Sequence, residues 1–283
     1  MKPAPFDYVA PADIDGVLEA LAGPDAKIIA GGQSLVPMLN LRLARPALLV
    51  DITRVPRLAH LRREAGALRI GATTTHRELA ESPMIAAHWP LLQFAAQHIG
   101  HDAIRNVGTI GGSVAHADPA AELPAALLAL EASMTIVSKS GSRSVAARDF
   151  FRGYLQTALG PNELLTEIVV PPTRPYARSA FAEVTRRHGD FALAGVAVQL
   201  DPSPAARVVL FGAGDVPLRA TAAEALLVSS GLTALDQAAD AAVADVHPGD
   251  DLHATGEYRR NLLRDLTLHC LQQVATRIEE ERC

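Results

Sequence analysis

Apolar positions in the first half of the chain alternate between helical spacing and short continuous runs. Ile14, Val17, Leu18 and Leu21 recur at helical spacing after Asp13, which predicts a helix capped by that aspartate and ending near Gly23. Short apolar runs bounded by turn residues predict strands. The predicted strands are "AKIIA", "ALLVDI", "LAHLRRE", "ALRIG", "MTIVS", "RSVAA" and "ELLTEIVVP", and the predicted helices are "HRELAES", "PMIAAHWPLLQFAAQHIG", divided or kinked at Pro90, and "PAALLALEA". This mixture indicates an α/β or α+β fold.

The second half of the chain begins after a proline-rich segment. "PPTRPYARS" contains three prolines and is typical of a domain boundary. Three consecutive strands are predicted beyond it, "AFAEVTRR", "LAGVAVQL" and "RVVLFGAG", with the turn-rich "DPSPAA" between the last two, and helices fill the rest. In the last helix Cys270 shares a four-residue apolar repeat with Leu262 and Leu266, which predicts a buried packing role. The expected division is 1–175, with subdomains of about 1–55 and 56–175, followed by 176–283.

Composition and charge exclude several classes of protein. The chain has 283 residues, 49% of them apolar, and no run approaches the about 18 apolar residues of a membrane span. A net charge of −5 without a long basic run argues against nucleic acid as a partner. The N-terminus lacks the apolar region of a signal peptide, and two cysteines cannot build a disulfide framework. A cytoplasmic protein is therefore expected.

Two similar glycine pairs are the strongest chemical signal. Gly31-Gly32 follow a predicted buried strand, and Gly111-Gly112 follow another short apolar approach; each pair is closely followed by a serine. Either pair alone is more often an ordinary turn. Together, two such turns facing each other across a cleft could offer backbone N–H groups and hydroxyls to a diphosphate.

Neither glycine segment fits a common nucleotide-binding motif. No Gly-Lys-Ser/Thr follows, so neither is a Walker A loop, and no third glycine opens a helix as in a Rossmann unit. Pro37 limits any helix after the first pair. No cluster with metal-ligand spacing is present; the nearest approach is His98, His101 and Asp102 in "HIGHD". No Gly-x-Ser-x-Gly segment indicates a nucleophilic serine. We expect no metal ligand and no catalytic side chain in this chain.

Five segments carry a family resemblance. "AGGQSLVPMLNLRLARPALLVDI", "IGATTTH", "IRNVGTIGGSVAHADPAAELPAAL", "RRHGDFALAGVAV" and "HATGEYRRNLLRDL" resemble, in this order and over nearly the whole chain, the FAD-binding medium subunit of molybdenum hydroxylases, the carbon monoxide dehydrogenase and xanthine dehydrogenase family. The resemblance implies an α+β fold: an FAD-binding fold of the vanillyl-alcohol oxidase and p-cresol methylhydroxylase type, built from two α/β subdomains. A C-terminal domain with a three-stranded antiparallel sheet and a helical bundle would follow.

The resemblance also implies which residues bind the cofactor. In the family, the segment that matches Ile29–Leu35 wraps the pyrophosphate, and the segment that matches Thr109–Ser113 closes on it from the other subdomain. The residues thereby expected at FAD are Ile29, Ala30, Gly31, Gly32, Gln33, Ser34, Leu35, Thr74, Ile99, Thr109, Ile110, Gly111, Gly112, Ser113, His116, Asp118, Glu122 and Leu165.

Several positions depart from the family pattern. Relatives usually have Asn at Ser113, often Asn at His116, and Asp at Glu122; each change keeps a hydrogen-bonding group, so FAD binding should survive. Some relatives have a lysine in the strand where this chain has Ala182 and Glu183, and the contact of that lysine is missing here. Phe191 matches an aromatic residue beside the flavin in some relatives, and a core residue is an equally good interpretation.

The resemblance implies a subunit of a larger complex. Two cysteines cannot ligate a [2Fe–2S] centre, which needs four thiolates. A large molybdenum–pterin subunit would hydroxylate the substrate, and a small subunit with two [2Fe–2S] clusters would deliver electrons to FAD in a dimer of heterotrimers, a heterohexamer. A self-sufficient FAD-dependent oxidoreductase of the same fold and a non-enzymatic nucleotide-binding module are the alternatives.

Overall fold

The N-terminal part is a small parallel sheet covered by a helix. The computed structural model of the chain describes residues 2–174, 177–201 and 205–280. The sheet has the strand order β1-β3-β2, and Val17, Leu18 and Leu21 of α1 pack on it. Asp13 caps α1 by accepting a hydrogen bond from the Gly16 N–H at 2.8 Å, so the predicted helix is confirmed. The elements are β1 (Asp7–Val9), α1 (Ile14–Leu21), β2 (Ala26–Ile29), α2 (Leu35–Asn40) and β3 (Leu48–Asp51).

The central part is a five-stranded antiparallel sheet with helices packed against it. Its strand order is β4-β5-β10-β6-β7. Both predicted hairpins are confirmed, and Trp89 separates α4 from α5 immediately before Pro90 as the sequence predicts. The elements are β4 (Leu61–Glu64), β5 (Ala67–Gly71), α3 (His76–Glu81), α4 (Pro83–His88), α5 (Pro90–His98), α6 (Asp102–Arg105), α7 (Ile110–His116), α8 (Glu122–Ala129), β6 (Ser133–Ser138), β7 (Gly141–Ala146), α9 (Ala147–Phe150), β8 (Phe151–Gly153), β9 (Gln156–Thr157) and β10 (Leu164–Val170).

One sequence prediction near the glycine pairs is wrong. The first pair forms a turn, and the helix after it, α2, is short; Pro37 is the third residue of this helix, where the first turn needs no N–H. The second pair does not form the expected turn, since Gly111 and Gly112 lie in the first turn of α7. Glycine disfavours a helix by about 1 kcal/mol per residue, which the packing of α7 offsets.

The C-terminal part is an antiparallel sheet backed by helices. Its strand order is β11-β12-β13-β14, so the three predicted strands are confirmed and a two-residue fourth strand is added. Parts of the segments "PPTRPYARS" and "DPSPAA", namely 175–176 and 202–204, lie outside the described residues, as does Cys283. The elements are β11 (Arg178–Thr185), β12 (Ala192–Asp201), β13 (Ala205–Phe211), β14 (Leu218–Arg219), α10 (Thr221–Ser230), α11 (Leu235–Ala242) and α12 (Gly256–Glu280).

The two faces of the C-terminal sheet contact different layers. Phe181 and Phe211 stack at 5.5 Å between ring centroids and belong to the core formed with the central part. Ala180 and Val196, on the opposite face, pack with the C-terminal helices, including Cys270. This separation follows from the two-residue period of a strand. Burial raises the pKa of the Cys270 thiol to about 12, as expected for a packing residue. Within the described ranges, no helix is long and apolar enough to cross a membrane.

Candidate functional site

A cavity of about 1050 Å³ lies where all three parts of the chain meet. The loop after β2, the first turn of α7, the β8–β9 hairpin and the loop after β11 form its walls. All the predicted cofactor residues except Thr74 and Ile110 line it: Ile29, Ala30, Gly31, Gly32, Gln33, Ser34, Leu35, Ile99, Thr109, Gly111, Gly112, Ser113, His116, Asp118, Glu122 and Leu165. The structure therefore brings together segments that are far apart in the sequence.

The first glycine segment presents free backbone donors to the cavity. Gly32 has a φ of +67°, a conformation that glycine adopts at low cost, and its carbonyl starts α2 by accepting from the Val36 N–H at 2.8 Å. The side-chain amide of Gln33 donates a hydrogen bond to the Gly31 carbonyl at 3.1 Å, which fixes the turn. Successive unpaired N–H groups suit an anion. Among the described residues, no acceptor is present for the backbone N–H groups of Gly32, Gln33, Ser34 and Leu35.

The second glycine segment has already used its backbone donors. The Ile110 N–H donates to the Thr74 carbonyl at 2.9 Å, and the Gly111 N–H donates to the Ala72 carbonyl at 2.9 Å. The Gly112 N–H donates to the Thr109 hydroxyl, which caps α7, at 3.1 Å. The prediction that both segments offer N–H groups to an anion is therefore wrong for the second one. That segment contributes a wall and the Ser113 side chain.

The two glycine segments pack against neighbouring backbone at close range. A Cβ atom on Gly31 would lie 2.1 Å from the carbonyl oxygen of Val107, and one on Gly111 would lie 2.5 Å from the carbonyl oxygen of Ala72. Real Cβ atoms do not approach so closely. Glycine at these positions is needed to bring the loop after β2 and the helix α7 together around the cavity.

Thr74 and Ile110 support the site from behind. Thr74 is buried, and its hydroxyl donates to the His60 carbonyl at 2.9 Å. Ile110 is buried in the core of the central part. His76, two residues after Thr74, is also buried, and burial lowers its pKa to about 4, so the ring is neutral. Its backbone N–H donates to the Gly108 carbonyl at 2.9 Å. These residues fasten the second glycine segment to the central sheet.

Three polar residues at the end of α7 and after it face the cavity with different surroundings. Burial is the main cause that lowers the pKa of His116, which keeps its ring neutral. The Asp118 carboxylate accepts from the Ala120 N–H at 2.9 Å and shapes the turn before α8. Glu122 is 5% exposed, and burial raises its pKa to about 7. The positions of these residues on the cavity wall are compatible with the expected hydrogen bonds to a ligand.

Some lining residues were not predicted from the sequence. Lys27 reaches the cavity from β2, 155–157 reach it from the β8–β9 hairpin, and 159–161 reach it from the segment after this hairpin. Lys27 lies on the strand that leads to the glycine pair, which was an available signal, whereas the hairpin carries no motif. Asp190 and Phe191 also line the cavity. Because Phe191 is 56% exposed, its interpretation as a core residue is wrong.

The site fits FAD and gives no indication of a metal. Its volume suits a dinucleotide, the free N–H groups of the first glycine segment match a diphosphate, and apolar residues such as Ile99 and Leu165 offer a surface for a ring system. Among the described residues, no group of three or more His, Cys, Asp or Glu side chains could hold a metal ion. In the segment "HIGHD", the His101 ring stacks on the His188 ring with 5.6 Å between the ring centroids, and Asp102 forms an ion pair with Arg105.

Comparisons with known proteins agree along the length of the chain. Residues 4–173 match the family model described as the FAD binding domain in molybdopterin dehydrogenase, and residues 179–274 match the CO dehydrogenase flavoprotein C-terminal domain. The chain is 43% identical to the 6-hydroxypseudooxynicotine dehydrogenase complex subunit alpha of Paenarthrobacter nicotinovorans, with 98% of this chain and 97% of the relative covered.

Solved structures give the same result. A chain of the carbon monoxide dehydrogenase from Hydrogenophaga pseudoflava superposes with a TM-score of 0.95 at 38% identity, covering 98% of this chain and 99% of that one. A chain of quinoline 2-oxidoreductase from Pseudomonas putida 86 superposes with a TM-score of 0.92 at 37% identity, covering 98% and 99%. This chain therefore belongs to the family of FAD-binding medium subunits of molybdenum hydroxylases, and it is a flavoprotein subunit of an oxidoreductase.

Proposed function

We propose that this chain is the electron-transfer subunit of a heterotrimeric molybdenum hydroxylase. Electrons would arrive from [2Fe–2S] clusters of a small partner subunit, pass through FAD in this chain and leave to an external acceptor. A large molybdenum–pterin partner would hydroxylate the substrate, and two heterotrimers would form the heterohexamer. Relatives named as a medium chain or as a complex subunit support this assignment.

The observation that carries the proposal is the row of backbone N–H groups at Gly32–Leu35 on the cavity wall, for which the described residues offer no acceptor. Gly32, Ser34 and Leu35 are half-buried, and donors that lack acceptors in such a position favour a ligand that completes them. A diphosphate supplies several acceptor oxygens. The 18 cofactor residues expected from the sequence, with Thr74 and Ile110 acting from behind, are proposed as the FAD site.

The side chains of this chain would bind and orient the cofactor. Ser34 and Ser113 offer hydroxyls from opposite walls, while Ile99 and Leu165 supply apolar contact. FAD, when bound, supplies the two-electron and one-electron redox chemistry. The chain would position the flavin and limit the access of water, and we assign no acid, base or nucleophile to it.

The chain would require partner subunits for a complete reaction. The sequence contains two cysteines, Cys270 and Cys283, whereas a [2Fe–2S] centre uses four thiolates. Cys270 is buried among apolar side chains and is not available as a ligand. We further propose that the N-terminal and central parts form an FAD domain of the vanillyl-alcohol oxidase type over 1–175, followed by a separate domain over 176–283.

Removing FAD from the assembled complex tests the proposed order of electron transfer. A complex reconstituted without FAD should keep substrate-dependent reduction of the iron–sulfur clusters and lose reduction of the acceptor. Cluster reduction is followed by its absorbance change and acceptor reduction by a dye assay. Loss of cluster reduction in the FAD-free complex, with recovery on adding FAD, would contradict the proposal.

A further inference from the structure

Two carboxyl groups from different parts of the chain are close enough for the charge of one to act on the other, and one of them lines the cavity. Glu122 begins α8, is 5% exposed and lines the cavity, and Glu183 lies on β11 of the C-terminal sheet. The Oε2 atom of Glu183 is buried without a hydrogen-bond partner. Among the described residues, no side-chain hydrogen bond or ion pair engages either carboxyl group, and only the backbone N–H of Glu122 interacts with its own carboxyl group.

The strand geometry explains why Glu183 faces Glu122. Glu183 lies on the same face of β11 as Phe181, because alternate residues of a strand share a face. Phe181 packs into the core that includes α5 and α8, so Glu183 projects toward the same layer. Gly195 lies opposite Glu183 in the sheet. A Cβ atom on Gly195 would lie 2.0 Å from the Phe211 ring, so the glycine leaves room for that ring. Glu183 therefore projects toward the helical layer to which Glu122 belongs.

The surroundings favour the protonated form of both groups. Burial raises the pKa of Glu122 to about 7, with a further contribution from the charge of Asp118. Burial raises the pKa of Glu183 to about 8, and the charge of Glu122 adds to this. Titratable side chains on neighbouring elements include His98 of α5, whose ring contacts Phe181 at a tilted angle, and the cavity residues His76, His116 and Asp190. Asp190 pairs with Arg186.

Because no cation among the described residues pairs with them, two ionised carboxylates at this place would be unfavourable. We propose that Glu122 and Glu183 form a proton-holding carboxyl pair, and that the neutral Glu122 donates an O–H hydrogen bond into the cavity to an acceptor atom of the flavin ring. The inference rests on the proposed function. We choose the flavin ring as the acceptor for two reasons. The diphosphate is placed at Gly32–Leu35, and a carboxyl group that can ionise would repel the negatively charged diphosphate.

The pair makes cofactor binding depend on pH. When the pair loses its proton, the donor disappears and a negative charge faces the ring. A hydrogen bond of about 1.5 kcal/mol corresponds to about a tenfold change in affinity. The Kd for FAD of the full apo-chain should therefore rise about tenfold between pH 6 and pH 9, with a midpoint near the titration of the pair.

Conservative variants of the full chain test the inference. Glu122→Gln keeps a donor and removes the titration, so its Kd for FAD should be independent of pH. Glu183→Gln removes the group that ionises after Glu122, so the rise in Kd should become a single step centred on the titration of Glu122. Glu19→Gln, at an exposed position of α1, is the matched control and should follow the wild type. Circular dichroism verifies that each variant is folded.

Infrared spectroscopy gives a second readout that needs no cofactor. The carbonyl band of a protonated carboxylic acid should be present at pH 7 in the wild type. It should be lost in the double variant Glu122→Gln, Glu183→Gln. A wild-type Kd that is constant from pH 6 to pH 9, with FAD bound, would overturn the inference and leave the proposed function intact. Absence of FAD binding at every pH would overturn both.

Discussion

The two glycine segments around the cavity look alike in sequence and differ in structure. Gly31-Gly32 form a turn with a positive φ at Gly32, and the N–H groups that follow have no acceptor among the described residues. Gly111-Gly112 form the start of α7, where N–H groups already donate to Ala72 and to the Thr109 hydroxyl. The first segment is suited to an anion, while the second is suited to close packing.

A pair of glycines is therefore an ambiguous signal for phosphate binding. What matters is whether the backbone donors remain free after the chain has folded. In the first segment, the short helix α2 starts from the Gly32 carbonyl and leaves the preceding donors open. In the second, the loop after β5 supplies acceptors for the same kind of donor. Substitutions in the two segments should accordingly have different consequences for stability and for cofactor binding.

The largest effect is expected for Gly31→Val. Its Cβ would lie 2.1 Å from the Val107 carbonyl oxygen, so the two segments must separate. We expect a loss of about 3 kcal/mol or more in the free energy of unfolding, together with loss of FAD. Denaturant unfolding and flavin absorbance measure the two effects. Gly249→Val is the control, since no atom lies within 4 Å of a Cβ at that exposed position. Equal stability of the two variants would refute the close contact.

Gly111→Ala should have a smaller effect. The added Cβ would lie 2.5 Å from the Ala72 carbonyl oxygen, and α7 must move away from β5 and break the Gly111–Ala72 hydrogen bond. We expect a loss of about 2 kcal/mol, because a single methyl group is accommodated by a shift of one helix. Hydrogen exchange at the Gly112 and Ser113 amides should accelerate. Unchanged exchange at these amides would show that α7 does not depend on this contact.

The acidic wall of the cavity should make stability depend on pH. The unfolded state has ordinary glutamate pKa values of 4.5, whereas burial raises those of Glu122 and Glu183 to about 7 and about 8. The folded state therefore holds more protons in this window, and the contribution of the two groups to stability falls as pH rises from about 5 to about 8. Thermal unfolding of the apo-chain measures this fall. The double variant Glu122→Gln, Glu183→Gln should flatten it, and an unchanged slope in that variant would contradict the assignment.

The smallest effect is expected at the cap of α7. Thr109→Val keeps the shape of the side chain but removes the hydroxyl that accepts from the Gly112 N–H at 3.1 Å. Loss of such a cap costs about 1 kcal/mol of stability. Thr109→Ser, which keeps the hydroxyl, should retain wild-type stability in the same denaturant titration. If both variants lose the same stability, the hydroxyl does not cap the helix.

Much of the fold could be predicted from local sequence patterns. Asp13 and the apolar positions of α1 gave the helix and its start, and the alternating strands of the C-terminal sheet followed from their two-residue period. The helix α7 was missed because Gly111 and Gly112 disfavour helices locally, and only the packing of Gly111 on Ala72 reveals the reason for the first of them.

The cavity could be predicted in part for a similar reason. Residues 29–35 and 109–113 belong to motifs, so the sequence placed them together. Asp190 and the residues in and after the β8–β9 hairpin reach the cavity because distant segments fold over it, and nothing in their local sequence indicates a ligand, whereas Lys27 lies shortly before a motif. The carboxyl pair was also hidden, since Glu122 lies at the start of a helix of the central part and Glu183 lies on a strand of the C-terminal sheet.

Binding of FAD and of riboflavin by the apo-chain, each measured by calorimetry with wild type and Gly32→Val, tests the central claim most directly. Two or more hydrogen bonds from the free N–H groups to the diphosphate, at about 1.5 kcal/mol each, should make FAD bind about 100-fold more tightly than riboflavin. A valine at Gly32, where φ is +67°, should distort the turn and remove this preference while the protein stays folded. Equal affinities for FAD and riboflavin in the wild type, or an undiminished preference in Gly32→Val, would contradict the claim that the first glycine segment holds the diphosphate.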